Sequence, residues 1–251
     1  MSAPADKVVS SYRDRAAWAR AESCPTTPHL LPRALADITA VVEFPAGPGY
    51  FLTHYAHAGV RLHLIDASWP MLTAATHHAR EAGVAELAIG CHYLEHLPEL
   101  VGEELVVVPN AALNQLAAQT PLPDVLARLR EAVKPGTRLL LQYVAASAGP
   151  GSGFYDPALP DGRTILDHTF TAPGNQQVTR RHSQHHTADR RQARIEFTYT
   201  VSGHEERTSH VHLALPASGE VETALAHTGW VTTHTHDGAG FREVLATAGD
   251  S

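Results

Sequence analysis

The sequence predicts an α/β fold, with a largely parallel sheet that is covered by helices on both faces. Short apolar segments bounded by turn residues are typical of strands, and they lie at 40–44, 61–66, 86–91, 104–109 and 138–144. Their apolar residues run continuously, which indicates strands buried on both faces. Helical patterns separate most of these segments, and a helix is the usual connection between two parallel strands.

The helical patterns begin before the first strand. Segment 8–23 has helical periodicity, a loop with Pro25 and Pro28 follows, and a short helix is expected at 29–36. Between the strands we expect three further helices, at 50–58, 69–83 and 111–132. The dipeptide Pro135-Gly136 favours a tight turn that leads into the fifth strand.

The pattern changes after Val144. Segment 145–162 is rich in glycine, proline and serine and is typical of a loop. Segment 163–215 alternates polar and apolar residues, which predicts half-exposed antiparallel strands. A final helix is expected at 218–228, with Ser218 as its cap, before a closing strand in GWVTTHTHDG.

Composition excludes several classes of protein. The 251 residues carry a net charge of -7, which does not fit a nucleic-acid-binding protein, and 43% of them are hydrophobic, enough for one substantial core. No apolar run is long enough to span a membrane, and the first residues lack the apolar stretch of a signal peptide. Cys24 and Cys91 do not make a disulfide framework, so we expect a cytoplasmic protein.

The stretch VVEFPAGPGYFLTHYAHAGVRLHLIDAS, residues 41–68, predicts a nucleotide pocket. A glycine turn between a strand and a helix lets a ligand approach the backbone, and an acid that ends the next strand accepts hydrogen bonds from ribose hydroxyls. Gly47, Gly49 and Asp66 supply these parts. A nicotinamide dinucleotide loop requires a third glycine where Leu52 stands, and it does not require the acid Glu43.

Together these motifs resemble those of the class I S-adenosylmethionine-dependent methyltransferases. Glu43-Phe-Pro45-Ala-Gly47-Pro-Gly49 is similar to the first motif of that family, and LIDASWPML, LAIGCHYLEHLP and LVVVPNAALNQL are similar to the next three. LREAVKPGTRLLLQYV is similar to the helix, turn and strand that follow, so the resemblance covers residues 40–145 in order. Pro45 stands where the family has its first glycine, and Cys91 or His92 stands where it has an acid that meets adenine.

The resemblance implies a Rossmann-like sheet of seven strands with a small antiparallel lid. It divides the chain into an N-terminal helical cap, a core that binds S-adenosylmethionine, a lid over the acceptor, and a C-terminal helix and strand that complete the sheet. These parts correspond to residues 1–38, 39–145, 146–216 and 217–251.

The resemblance also implies roles for individual residues. Glu43 would help to hold the methionine amino group, and Asp66 would hold the ribose; the alternative for both is the capping of a neighbouring helix. Other residues expected at the cofactor are Tyr12, Pro45, Gly47, Gly49, Ala67, Met71, Cys91, His92 and Asn110.

Candidate catalytic residues follow the fourth strand and lie in the insertion. Asn110 and Asn114 carry amides that could accept a hydrogen bond from an acceptor amine, although Asn110 is also a plausible helix cap. His168 is the candidate general base, because a histidine titrates near neutral pH and the insertion should cover the acceptor. Tyr143 and Tyr155 are expected to bind the substrate, with packing as the alternative.

The histidines of RRHSQHHTADRR do not predict a metal site. His182, His185 and His186 have no cysteine or acidic cluster beside them, and adjacent residues of a strand face opposite sides. We therefore expect no metal ion in this protein.

The sequence therefore predicts methyl transfer to nitrogen or oxygen of a small molecule in bacterial specialised metabolism. We expect S-adenosylmethionine as cofactor and no nucleic-acid or membrane partner. The sequence is compatible with a homodimer. One alternative is a cyclisation of S-adenosylmethionine that releases methylthioadenosine. A second is a binding protein without catalytic activity.

Overall fold

A computed structural model of the chain describes residues 15–16, 18–22, 28–145, 152–201 and 205–250. Its main feature is a seven-stranded sheet in the order β10-β11-β5-β4-β1-β2-β3. The strands are β1 Ala40–Glu43, β2 Arg61–Asp66, β3 Leu87–Cys91, β4 Leu105–Val108, β5 Arg138–Tyr143, β10 Trp230–Asp237 and β11 Arg242–Ala248. Strands β1 to β5 pair in parallel, and β11 is antiparallel to both β5 and β10. This confirms the predicted α/β class and the mostly parallel sheet of seven strands.

Helices cover both faces of this sheet. They are α1 Ala19–Glu22, α2 Leu31–Ala34, α3 Leu52–Ala58, α4 Trp69–Ala82, α5 Ala112–Ala117, α6 Leu122–Glu131 and α7 Glu220–His227. One core packs α6 and α7 against the sheet, and another packs α2, α3 and α4 against its opposite face. The continuous apolar strands are explained by this double cover.

Helix α4 illustrates how local signals fix an element. The hydroxyl of Ser68 accepts a hydrogen bond from the amide of Met71, and Pro70 occupies the first turn, where a missing N–H costs nothing. The helix ends at Gly83, whose φ of 83° lies in the left-handed region that favours glycine. The predicted helix at 69–83 therefore forms almost as expected.

Two predicted helices differ from the structure. The pattern at 111–132 is interrupted, and α5 ends before Pro121 while α6 begins after it, because proline cannot continue a helix from the preceding turn. Ser218 does not cap the last helix. Helix α7 begins after Gly219 at Glu220, whose carboxylate accepts a hydrogen bond from the amide of Ala217.

A second, antiparallel sheet has the order β6-β7-β8-β9. Its strands are β6 Ile165–Ala172, β7 Gln176–His186, β8 Gln192–Val201 and β9 Glu205–Ala214, and they fall within the segment predicted to form antiparallel strands. Every second residue faces a buried layer that contains Trp18, Ala111 and Phe241 from the rest of the chain. The inner face of this sheet therefore packs beside the carboxyl end of the main sheet.

The closing strand of the sequence prediction is one half of a hairpin. Strand β10 pairs along its length with β11, and β11 in turn pairs with β5. None of the described helices is long and apolar enough to cross a membrane.

Candidate functional site

A cleft lies at the carboxyl ends of β1, β2, β3 and β4, where ligands bind in open parallel sheets. The space between its walls, including the part that is open to solvent, is about 910 Å³. We call it the main cleft. Its lining residues are Phe44, Pro45, Gly47, Tyr50, Asp66, Ala67, Ser68, Met71, His92, Tyr93, Leu94, Glu95, Asn110, Ala112, Gln115, Leu116, Gln119 and Thr120.

A second cavity adjoins the main cleft and extends beneath the antiparallel sheet. We call it the side pocket; the space between its walls, including the part that is open to solvent, is about 730 Å³. It shares five lining residues with the main cleft: Gly47, Tyr50, Met71, Asn110 and Gln115. Its own lining residues are Arg15, Ala19, Glu22, Pro48, Ser152, Phe154, Arg180, Phe197 and Val211. A ligand in the main cleft and a second ligand in the side pocket would therefore meet at the shared residues.

The glycine loop between β1 and α3 leaves no amide free for a ligand. From Phe44 to Phe51 each N–H is bonded inside the protein, and the two prolines have none. The acceptors are Val107 O for Phe44, Ile65 O for Ala46, Asp66 for Gly47, Ala46 O for Gly49, and Glu43 for both Tyr50 and Phe51. A phosphate bound at a glycine loop needs such amides as donors, so this loop is not built for one.

The carboxylate of Glu43 explains why the loop closes in this way. It is fully buried behind the loop, where it accepts hydrogen bonds from the amide of Tyr50 at 3.0 Å and from the hydroxyl of Tyr55 at 2.6 Å. It thus occupies the N-terminal end of α3, a position that favours negative charge. Burial raises the pKa of Glu43 to about 7, against the lowering effect of these hydrogen bonds.

Glu43 therefore does not line the main cleft, and the structure supports the capping alternative over a direct contact with a ligand. Gly49 also lies outside that lining; with a φ of 80° it occupies the left-handed region, and a Cβ there would stand 2.6 Å from Leu52 Cδ1. Pro45 does line the cleft, after a cis peptide bond from Phe44. The loop closes with proline at this position.

Asp66 presents its carboxylate to the main cleft. Its Oδ2 accepts from the amide of Gly47 at 2.8 Å, and its Oδ1 accepts from the amide of Ser68 at 2.8 Å. Burial raises the pKa of Asp66, while the amides of Gly47, Ser68 and Ala67 act in the opposite direction. A carboxylate has about four acceptor sites, so with these three amides bonded it can still accept from a ligand hydroxyl.

Asn110 lies where the two cavities meet. Its φ of 47° and the φ of 59° at Ala111 place two successive non-glycine residues in the left-handed region. Such residues cost about 1–2 kcal/mol each and are enriched at functional sites. The amide of Asn110 donates to Gln142 Oε1 at 3.0 Å, and the side chain of Asn110 is left to the cavities.

The other predicted residues near the cofactor are distributed between the cleft and its wall. Ala67, Met71 and His92 line the main cleft. Cys91 lies behind it, where its thiol contacts the carbonyl of Ala67, and burial raises the pKa of that thiol. Tyr12 falls outside the described residues.

The side chain of the predicted catalytic residue Asn114 is bonded within the protein. Its side chain is buried, donates to the carbonyls of Val144 and Ala214 at 2.7 Å each, and accepts from the amide of Val144 at 2.9 Å. Asn114 thus joins α5 to the end of β5 and to β9, with its amide nitrogen and one lone pair of its oxygen engaged within the protein.

His168 and the two tyrosines also lie away from the described cavities. His168, on β6, is half-buried, and burial together with the charge of Arg180 lowers its pKa. Tyr143 is in the core beside Arg242, and burial raises its pKa. The Tyr155 hydroxyl contacts His186 Nε2 at 3.2 Å. None of these three side chains lines the side pocket, although His168 lies close to Glu22 and Arg180, which do.

The side pocket contains a buried charge cluster that sequence reasoning did not find. Glu22 Oε1 accepts from Arg15 at 2.7 Å, Arg180 at 2.9 Å and Tyr199 at 2.5 Å. Arg180 also donates to Asp167 at 2.8 Å, and Asp167 contacts His182. Although burial opposes it, the adjacent Arg15 and Arg180 hold the pKa of Glu22 below its usual range, so Glu22 is ionised.

Tyr50 and Gln115 are further lining residues that the sequence prediction did not name. Tyr50 directly follows Gly49, so its position in the glycine loop was a usable signal. No local pattern pairs Glu22 with Arg180, which are separated by 158 residues. Among the described residues, no group of three histidine, cysteine or acidic side chains is placed to hold a metal ion.

This sheet order, with one antiparallel strand beside β5 and a cleft between a glycine loop and an acid, defines the Rossmann-like fold of class I S-adenosylmethionine-dependent methyltransferases. Comparison with solved structures shows the same fold. No protein-family model matches the chain, and no curated protein sequence matches it.

The fold is similar to that of the CcbJ methyltransferase from Streptomyces caelestis, with a TM-score of 0.72 and 17% identity over 96% of this chain and 98% of the other. It is also similar to CalS10, an amino pentose methyltransferase from Micromonospora echinaspora bound to S-adenosylmethionine, with a TM-score of 0.64 and 18% identity over 96% and 89%. The sugar N-methyltransferase KedS8 from a Streptoalloteichus species gives a TM-score of 0.67 and 16% identity over 94% and 87%.

Proposed function

We propose that this protein is an S-adenosylmethionine-dependent methyltransferase that acts on nitrogen or oxygen of a small molecule. The observation that carries the proposal is the glycine loop, in which every amide from Phe44 to Phe51 is already bonded within the protein. Such a loop cannot bind a dinucleotide phosphate through its backbone, but it suits a nucleoside ligand without phosphate. Asp66 adds the acceptor that a ribose requires.

The residues present fit this cofactor. Asp66 would hold the ribose hydroxyls, His92 and Met71 would contact the nucleoside, and the side of the loop at Pro45 and Gly47 would face its amino acid part. When bound, S-adenosylmethionine supplies a methyl group that is already activated by the positive sulfur. The protein therefore needs chiefly to orient the acceptor and to exclude water.

The side pocket is the proposed acceptor site. It meets the main cleft at Tyr50, Met71 and Asn110. The side-chain oxygen of Asn110 could accept a hydrogen bond from the amine or hydroxyl of the substrate. That bond would aim the lone pair of the substrate nitrogen or oxygen at the main cleft. Phe154 and Phe197 would exclude water on the opposite side.

An acceptor from bacterial specialised metabolism is the substrate that we favour. Amino sugars are suggested by the fold neighbours described as acting on an amino pentose and on a sugar nitrogen. We also propose that the enzyme works in the cytoplasm. A homodimer would be recognised in solution by a mass twice that of the single chain.

The first experiment is a calorimetric titration of the purified chain with S-adenosylhomocysteine, S-adenosylmethionine and NAD. We expect the first two to bind and NAD not to bind. Binding of NAD alone would overturn the proposal. Binding of none of the three would overturn it as well, and would favour a binding protein without catalytic activity.

Product analysis then identifies the reaction. The protein is incubated with S-adenosylmethionine and a panel of amino sugars and small amines, and the nucleoside products are separated. S-Adenosylhomocysteine, formed only when an acceptor is present, is the result expected for methyl transfer. Methylthioadenosine would instead indicate the cyclisation.

A further inference from the structure

A chain of buried and part-buried hydrogen bonds links the start of helix α2 to Asn110. The backbone of Asn110 and Ala111 is held in the left-handed region by two contacts from one residue. Gln142 Oε1 accepts from the amide of Asn110 at 3.0 Å, and the backbone carbonyl of Gln142 accepts from the amide of Ala111 at 3.1 Å. Because the left-handed conformation is unfavourable for both residues, it needs such external support.

Gln142 is held in turn by Glu243, its direct partner across the β5–β11 pair. The Gln142 Nε2 donates to Glu243 Oε1 at 3.1 Å, and both side chains are buried. The carboxylate of Glu243 also accepts from the amide of His29 at 3.0 Å and from that of Leu30 at 2.7 Å. These amides begin the segment that leads into α2.

We propose that Gln142 and Glu243 are positioning residues that couple the docking of segment 28–34 to the geometry of Asn110. Neither residue lines the main cleft or the side pocket, so they act through Asn110, which lines both. The effect on cofactor binding rests on the function proposed above. The coupling itself is a property of the fold and is measured separately.

The polarity of the hydrogen bonds makes the chain directional. The amides of His29, Leu30 and Asn110 can only donate, so acceptors must face them at both ends. Gln142 meets this condition only with its oxygen toward Asn110 and its nitrogen toward Glu243. A glutamine at 243 would bring an NH₂ group against a donor at one end or, if Gln142 turns over, at the other end.

This polarity provides a test by exchange of partners. Glu243→Gln introduces a conflict between donors, and Gln142→Glu places two carboxylates together. The double variant with both changes restores a consistent pattern, because Glu at 142 accepts from the amide of Asn110 and from Gln at 243. Glu222→Gln is the matched control, because it removes a carboxylate that pairs with Arg242, the neighbour of Glu243 in β11.

The experiment measures amide hydrogen exchange by NMR in the full-length chain. We expect each single variant to increase exchange at Asn110 and Ala111 by about tenfold, the effect of losing one buried hydrogen bond, as well as exchange within 28–34. The double variant should return both regions to within about twofold of the wild type, which a purely local effect of each residue would not do. Glu222→Gln should change neither region.

Calorimetry with S-adenosylhomocysteine is the second readout. We expect a dissociation constant about tenfold higher in each single variant, and recovery in the double variant. If the wild type does not bind S-adenosylhomocysteine, the proposed function fails, while the exchange result still decides the coupling. If Glu243→Gln alters exchange only within 28–34, or if the double variant is as perturbed as the single ones, the coupling is overturned.

Should Gln142→Glu fail to fold, Glu243→Asp replaces it. This change keeps the charge but shortens the side chain, so that one carboxylate cannot reach both Gln142 and the amide of Leu30. An increase in exchange at Asn110 is again expected, and unchanged exchange there would contradict the proposal.

Discussion

Glu43 and Asp66 carry the same functional group at the ends of neighbouring parallel strands, yet their surroundings give them different roles. Glu43 is enclosed by the loop and by Tyr55, and its hydrogen bonds hold the loop backbone closed. Asp66 accepts from the amides of Gly47, Ala67 and Ser68 and lines the main cleft, where an acceptor site remains for a ligand. The two carboxylates therefore call for different experiments, one on stability and one on affinity.

The affinity of the main cleft should depend on Asp66. Asp66→Asn places an NH₂ group against the amide of Gly47 or of Ser68 and removes the charge that a diol would meet. We expect the dissociation constant for S-adenosylhomocysteine to rise by about thirtyfold, the effect of losing a hydrogen bond to a charged group. As the pH is lowered, protonation of Asp66 should weaken binding by the wild type. Because burial raises the pKa of Asp66, this loss should begin at a higher pH than it would for an ordinary carboxylate.

Calorimetry across a range of pH measures both effects. Asp124→Asn, a change at an exposed position of α6, is the control and should bind as the wild type does. Unaltered binding by Asp66→Asn would show that the ligand does not use this carboxylate.

Glu43 should make the stability of the fold depend on pH. Its pKa is raised from 4.5 to about 7, so between these values the folded chain retains a proton that the unfolded chain has lost. Stability contributed by the protonated form is therefore present below pH 4.5 and is lost as the pH rises to about 7. The difference corresponds to about 3 kcal/mol in the free energy of unfolding.

Glu43→Gln should remove this dependence. The glutamine oxygen can accept from the amide of Tyr50, and its nitrogen can donate to the hydroxyl oxygen of Tyr55. Urea unfolding at pH 5 and pH 8 should show that the wild type loses about 3 kcal/mol more than the variant does. Equal losses in the two proteins would show that burial does not disturb the ionisation of Glu43.

At the scale of elements, the segment from β4 to α5 separates a site residue from a structural one. Asn110 and Asn114 lie four positions apart around the start of one helix. The left-handed backbone at Asn110 and Ala111 leaves the first side chain at the cavities, and the helix carries the second into the interface with β5 and β9.

Substitution of the two asparagines should separate stability from binding. Asn114→Ala leaves two buried carbonyls and one buried amide without partners, so we expect a loss of about 3 kcal/mol in the free energy of unfolding. Its affinity for S-adenosylhomocysteine should stay close to that of the wild type. Asn110→Ala should cost only about 1 kcal/mol, since alanine is less tolerant of the left-handed region, but it should bind more weakly.

Urea unfolding and calorimetry on both variants provide the comparison. A folded Asn114→Ala protein of normal stability that has lost its ligand would restore the catalytic reading of this residue.

The same segment shows what a sequence can predict. The strand ends, the glycine loop and Asp66 could be predicted from the sequence, because chain order and local chemistry determine where they lie. Parallel strands bring their carboxyl ends to one edge of the sheet. The division of the predicted helix 111–132 into two helices could also be predicted from Pro121, since proline ends a helical run. The role of Asn114 could not be predicted, because its partners Val144 and Ala214 lie 30 and 100 positions away in the sequence.

At the scale of the whole molecule, a few charges attach the antiparallel sheet to the N-terminal segment. Glu22 of α1 receives hydrogen bonds from Arg180 of β7 and Tyr199 of β8, and also from Arg15. Arg180 in addition donates to the carbonyl of Gly153 in the loop before β6. One carboxylate thus connects separate parts of the chain that form the wall of the side pocket. A single sequence gives no signal for such a set.

Glu22→Gln should therefore loosen the side pocket without affecting the main cleft. The variant keeps the shape of the side chain but leaves Arg15 without its carboxylate and Arg180 with only Asp167. Removing one partner from a buried ion pair costs about 3 kcal/mol or more, because the remaining charge is poorly solvated. We expect that loss in urea unfolding, faster amide exchange in β7 and β8, and unchanged affinity for S-adenosylhomocysteine.

The control for this variant lies on the other face of the same sheet. Glu196 of β8 pairs with Arg194 where both side chains are partly exposed, so Glu196→Gln should cost at most about 1 kcal/mol. Salt should reduce the small effect at Glu196 and leave the effect at Glu22 nearly unchanged, because buried charges are poorly screened. If the two variants lose the same stability and respond equally to salt, the cluster does not hold the sheet in place, and the wall of the side pocket is fixed by apolar packing alone.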